Sequence, residues 1–163
     1  MALELWTDGS CENGVGGYAV IVKDDDFVSW FYEGGFGDYR GYAVTEADGS
    51  EYKVARMGRA TQTSNIRMEG EAILAAMEYC GFAGGVIHTD SEFWVKVLTE
   101  WGRMWELNNF RRSGGALKNL DLVKKVYLAY REYPVEVVWT KGHSGDAMNK
   151  LADEWARVAR VGM

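Results

Sequence analysis

The sequence predicts a mixed α/β domain: a sheet, antiparallel in its first part and parallel in its second, flanked by helices. Three observations carry this. Strand-like alternation broken by turn residues fills the first third of the chain, helical periodicity begins near Asn65, and beyond it helices alternate with short apolar strands.

Residues 3–8 alternate apolar and polar side chains and run into Asp8-Gly9-Ser10, which predicts a strand ending at an acid. Residues 18–22 and 27–32 predict a hairpin around Asp24-Asp25-Asp26, a solvated turn whose spacing matches no calcium loop. The Asp48-Gly49 turn between residues 42–46 and 51–57 predicts a second hairpin. The sequence leaves open which hairpin joins the main sheet.

From Asn65 the pattern is helical. Glu69, Ala72, Ile73, Ala76, Met77 and Cys80 share one face, with Ser64 or Asn65 as the cap. Gly84-Gly85 leads to a strand over 86–89 that ends at Asp90, and Ser91 is placed to cap a helix from Glu92 to about Trp105. A polar stretch over 108–115 precedes a helix over about 117–132, stopped by Pro134. A strand over 135–139 and a Gly-rich loop over 141–146 follow. Met148, Leu151, Ala152, Trp155 and Ala159 mark a final amphipathic helix. Neither repeats nor a linker interrupt this order, so residues 1–163 read as a single domain.

With 163 residues, 47% hydrophobic and 26% charged, the composition is that of a globular domain, not a disordered or fibrous one. Cys11 and Cys80 form neither a secreted disulfide framework nor a zinc site. The N-terminus has no basic start or apolar run, and no stretch is long enough to span a bilayer. The expectation is a cytoplasmic protein without membrane partners. A net charge of -6 disfavours phosphate binding, but residues 1–52 hold eleven acids and two bases, whereas 53–163 hold thirteen acids and sixteen bases. A phosphate-binding face therefore belongs to the later part.

Asp8 and Asp90 each follow an apolar strand, and parallel neighbouring strands would bring their carboxylates together at one edge. Alone, each reads as a turn or cap aspartate. Together they repel unless a hard divalent cation sits between them. Glu69 places a third carboxylate on or beside the core-facing stripe, where an unpaired charge costs several kcal/mol; alone, it reads equally as an exposed first-turn glutamate favoured by the helix dipole. Asp153 likewise borders an apolar face, one position after Ala152, although alone it reads as a solvated helix acid.

The segments Thr-Asp-Gly-Ser-Cys (7–11), Asn-Ile-Arg-Met-Glu (65–69), Thr-Asp-Ser (89–91), Trp-Thr-Lys-Gly-His-Ser-Gly (139–145) and Asn-Lys-Leu-Ala-Asp (149–153) occur in the order found in type 1 ribonucleases H. Over nearly its whole length the chain resembles that family. Each segment is short, but five in order are specific. The resemblance implies a ribonuclease H-like fold with a mixed five-stranded sheet, and residues 34–60 look like an added hairpin. It implies an endonuclease that hydrolyses the RNA strand of an RNA/DNA hybrid with two Mg²⁺ ions, for which Mn²⁺ can substitute, leaving a 5′ phosphate and a 3′ hydroxyl.

By that resemblance Asp8, Glu69, Asp90 and Asp153 match the four metal-binding carboxylates and His143 the loop histidine that passes protons or aids product release. Ser64 and Asn65 would bind the DNA side, with Asn13 and Glu92 near the RNA. Glu92 departs from relatives that carry an amide there, since a carboxylate repels phosphate. Residues 101–118 resemble a basic handle, with Arg103, Arg111, Arg112 and Lys118 as its bases. Lys141 belongs to the loop of His143, and Lys124 and Lys125 are further candidates for phosphate contacts. Trp101 and Trp105, four apart on one helix, are read as packing residues, with Trp105 or Phe110 left to meet the DNA backbone. His88 reads as a plain strand histidine. The expected enzyme is a monomer. The competing readings are a nuclease of the same fold acting on DNA, against which Lys141 and His143 argue, and a noncatalytic binding module, which would lack at least one metal acid.

Overall fold

The computed structural model describes residues 3–33, 43–45, 51–111, 118–140 and 147–162. Arg112, Lys141 and His143 lie outside the described residues, as does the Asp48-Gly49 turn. In chain order the elements are β1 (Leu3–Glu12), β2 (Val15–Lys23), β3 (Phe31–Glu33), β4 (Ala43–Thr45), β5 (Glu51–Ala60), α1 (Asn65–Cys80), β6 (Gly85–Thr89), α2 (Glu92–Lys96), α3 (Gly102–Leu107), α4 (Leu120–Glu132), β7 (Val135–Trp139) and α5 (Ala147–Val161).

The sheet runs β3-β5-β2-β1-β6-β7, with β4 also paired to β5. Strands β5, β2 and β1 are antiparallel, and β1, β6 and β7 are parallel. The expected mixed sheet is therefore present. Its strand count is higher: among the described residues there are seven strands rather than five, because β3 and β4, three residues each, add to the outer side of β5.

Alternation along the strands sends apolar side chains to both faces. Leu5, Val20, Val22 and Ile87 pack against α1, α2 and α4, while Trp6, Ala19 and Ile21 pack against Leu151, Ala152 and Ala156 of α5. Helix α5 thus covers β1, β2 and β5 on one face, while α1, α2 and α4 cover the sheet on the other.

Two expectations are corrected and a third, the helix after Ser91, is present but with an added feature. Residues 18–22 and 27–32 do not form a hairpin. Strand β5 takes the place beside β2, and Phe31–Glu33 pairs parallel to β5. The reason is burial: Val54, Ala55 and Met57 of β5 are fully buried, whereas Val28 is 81% exposed and Phe31 52%. The acidic trio is a single 3₁₀ turn, with Asp24 paired to Lys53 at 3.2 Å. Secondly, β1 does not end at Asp8. It continues to Glu12 and turns at Asn13-Gly14, both with positive φ (53° and 78°), the signature of a two-residue hairpin. Thirdly, the helix after Ser91 is not uniform: a π-helical turn, Val97–Trp101, separates α2 from α3. Such turns are rare within helices.

Candidate active site

Strand β1 pairs in parallel with β6 as far as Trp6 opposite His88. Asp8 and Asp90 therefore stand at the same step, two residues beyond that last pair, where the two strands part. Asp8 is 7% exposed, and the Gly9 amide donates to its Oδ1 at 2.8 Å. The turn that carries Asp90 is held at several points. Ser91 N donates to Thr89 Oγ1 at 3.1 Å, Thr140 N to the Thr89 carbonyl at 2.7 Å, and the Trp139 indole to the Asp90 carbonyl at 3.3 Å.

Glu69 arrives from the first turns of α1, whose cap is Ser64, accepting from Arg67 N at 3.3 Å. The helix reaches the sheet because residue 9 has no side chain. A β-carbon there would fall 2.5 Å from the backbone nitrogen of Glu69. One carboxylate oxygen each from Asp8, Glu69 and Asp90 consequently lies within 4.8 Å of the others.

Burial, then the nearby charge of Asp90, pushes the Asp8 carboxyl from its ordinary 3.8 up to about 8; Asp153 and Glu69 add to the rise, and only the Gly9 amide opposes it. Burial likewise lifts Glu69 to about 7, with Asp90 adding and the Ser91 hydroxyl, a donor toward Glu69, opposing. Three oxygen donors from three elements, two of them hindered from ionising by burial and by the charge of Asp90, suit a hard divalent cation that supplies the missing positive charge. The donor set fits Mg²⁺. Asp153, on α5, acts electrostatically on Asp8 but stands outside the close trio, its carboxylate paired with Arg157 at 2.9 Å.

The other residues singled out by the sequence are spread around this centre. Asn13 is exposed at the tip of the β1–β2 hairpin, and Asn65 is exposed at the start of α1 beside Ser64. Glu92 is exposed at the start of α2 and pairs with Lys96 at 3.0 Å. Arg103, Arg111, Lys118, Lys124 and Lys125 are exposed. Phe110 is not available for DNA: it is 8% exposed and packs on Tyr127, so that part of the handle reading is corrected. Trp101 and Trp105 meet in a tilted ring contact within the helix, centroids 5.8 Å apart, while Trp101 remains partly open to solvent. His88 stacks on Trp6 at 5.3 Å and faces Glu4 at 3.4 Å, a strand histidine as read.

Sequence reasoning missed two contributors. Gly9 was read as a turn, although a glycine after a strand acid is an equal signal for close approach of another backbone. Ser91 was read only as a cap.

The family model described as RNase H matches residues 1–160. The chain is similar to a ribonuclease H of Acidiphilium cryptum (strain JF-5), 32% identical over 165 residues, covering 99% of this chain and 88% of the relative. It is similar to a ribonuclease H of Granulibacter bethesdensis at 33% identity, covering 98% of this chain and 92% of the relative. Among solved structures it resembles LC9-RNase H1, a type 1 RNase H with the type 2 active-site motif, at a TM-score of 0.71 and 26% identity, covering 98% of this chain and 72% of that one. It shares its fold with a foamy viral protease-reverse transcriptase solved with an RNA/DNA hybrid, at a TM-score of 0.66 and 15% identity, covering 98% of this chain and 20% of that one. Among the described residues no helix is long and apolar enough to cross a membrane.

Proposed function

Because the chain belongs to the ribonuclease H family, we propose that it is a type 1 enzyme that cuts the RNA strand of RNA/DNA hybrids by two-metal-ion hydrolysis, leaving 5′ phosphate and 3′ hydroxyl ends. The observation that carries this reading is the convergence of Asp8, Glu69 and Asp90 within 4.8 Å.

In this proposal Asp8, Glu69, Asp90 and Asp153 hold two Mg²⁺ ions, with Mn²⁺ a substitute. When bound, the ions supply positive charge to the attacking water and the departing 3′ oxygen. The protein's own part is placement. Asp8 and Asp90 present oxygens from two adjacent strand ends, Glu69 reaches across from α1, and Asp153 completes the set from α5 once its pairing with Arg157 is exchanged. His143 moves protons or helps the product leave. Asn13 lies toward the RNA strand, and Ser64 and Asn65 toward the DNA. Arg111, Arg112 and Lys141 contact phosphates. Glu92 stands near the RNA with its charge held back by Lys96. The enzyme acts as a single domain and a monomer in the cytoplasm, a reducing compartment that suits free Cys11 and Cys80.

The test is cleavage of end-labelled hybrid, duplex DNA and duplex RNA by the purified protein, with Mg²⁺ and with a chelator. Cutting confined to the RNA of the hybrid and lost on chelation is the expected result. Cutting of duplex DNA instead would make the chain a DNA nuclease of the same fold.

A further inference from the structure

Trp94 is the largest fully buried side chain among the described residues, and it touches two of the elements that bring acids to the site, α1 and the turn after β6. Its indole N–H donates to the carbonyl of Ile66, in the first turn of α1, at 2.7 Å. Its ring fills the space left by Gly70, where a β-carbon would fall 2.3 Å from the ring. Its backbone amide donates to Ser91 Oγ at 3.3 Å, and the Ser91 hydroxyl is itself a donor toward Glu69. Glu69 immediately precedes Gly70, and Asp90 immediately precedes Ser91. One residue therefore grips the turn of α1 that carries Glu69 and the turn after β6 that carries Asp90.

Those two carboxylates repel and come from separate elements, so their spacing needs an opposing constraint. A site of this kind works only when its groups are held to within about 0.5 Å. A purely space-filling role would be met by any apolar side chain. It would explain neither a hydrogen bond to a helix carbonyl nor a glycine inside a helix, where glycine is disfavoured. From this contact set we infer that Trp94 is a positioning residue that fixes the separation of Glu69 and Asp90, with Gly70 as its socket. The inference rests on the metal-dependent reading above.

Trp94→Phe keeps most of the ring and removes the bond to Ile66. Mg²⁺ affinity, measured by calorimetry well below the unfolding temperature, is expected to fall roughly 10-fold, the scale found when a supporting partner of a metal ligand is lost. The KM for hybrid at saturating Mg²⁺ should stay unchanged. Unaltered Mg²⁺ affinity in Trp94→Phe would overturn the inference. Absence of Mg²⁺ binding by the unsubstituted protein would overturn the proposed function, and the inference with it. The socket has its own test. Gly70→Ala should lower the unfolding temperature of the otherwise unchanged protein but raise it in a Trp94→Val background, where the ring is gone and alanine's helix preference prevails. A shift of the same sign in both backgrounds would show that Gly70 is not the socket.

Discussion

Gly9 lies directly against Glu69: a β-carbon at position 9 would fall 2.5 Å from the Glu69 backbone nitrogen and 2.6 Å from the Met68 carbonyl carbon. Neither obstacle is a flexible side-chain tip, so the helix or the strand would have to move. Gly9→Ala is expected to destabilise the protein by about 1–3 kcal/mol, the usual cost of overpacking. It should also weaken Mg²⁺-dependent turnover, because the displaced turn carries Glu69. Denaturant titration and a cleavage assay on the same preparation check both.

The raised carboxyls give the metal-free protein a definite pH dependence. Asp8 ionises near 8 in the folded protein against 3.8 ordinarily, and Glu69 near 7 against 4.5. Between about pH 4 and 8 the native state thus holds protons that the unfolded chain has released, and stability falls as pH rises. Unfolding temperature in a chelator should decrease across that window. Added Mg²⁺ should flatten the decrease, since a bound cation favours the ionised form.

From the same cause, Asp8→Asn should stabilise the metal-free protein near pH 8 by removing a buried charge that has no compensating cation. The unfolding temperature should rise by roughly 2–4 °C for each kcal/mol relieved. Scanning calorimetry of both proteins in a chelator measures this, and Mg²⁺ should narrow the difference.

In the proposed function, charge on the later part of the chain supplies the grip on phosphate. Replacing Arg111 and Arg112 together by alanine should weaken hybrid binding and flatten its log-log salt dependence by up to roughly two units, about 0.9 per lost phosphate contact. The chemical step at saturating substrate should be largely intact. Binding isotherms at several salt concentrations decide it.

His143→Ala should slow turnover without abolishing it, by roughly 10² to 10⁴ if its proton transfer limits the rate. A pH–rate profile at saturating hybrid, compared with the unsubstituted protein, reads this directly.

What the sequence made legible follows from the range of the forces involved. Helix α1 and the strand ending before Asp90 were readable because their periodicity and apolar runs are local. Glu69 was placed correctly beside the buried stripe for the same reason. The course of β1 through Asp8 is harder to read, since Gly9 beside an acid mimics a turn but serves a contact with a helix sixty residues away, whereas the turn itself lies at Asn13-Gly14. So is the place of β5 beside β2, which depends on Val54, Ala55 and Met57 outcompeting the exposed Val28 and Phe31 for burial. The burial of Phe110 against Tyr127 is likewise a tertiary matter. Of the four acids, three converge in the structure as the pattern suggested, whereas the pairing of Asp153 with Arg157, four residues on, lies along a single helix face and was open to reading.

The central claim is that Asp8 belongs to a metal centre that cuts RNA in a hybrid. The most direct measurement is single-turnover cleavage of labelled hybrid by Asp8→Asn in saturating Mg²⁺, with hybrid binding recorded on the same sample. The account predicts that binding persists and cleavage disappears, because the phosphate contacts are untouched while the centre loses the charge that holds its cation. Cleavage at the unsubstituted rate, still dependent on Mg²⁺, would contradict it.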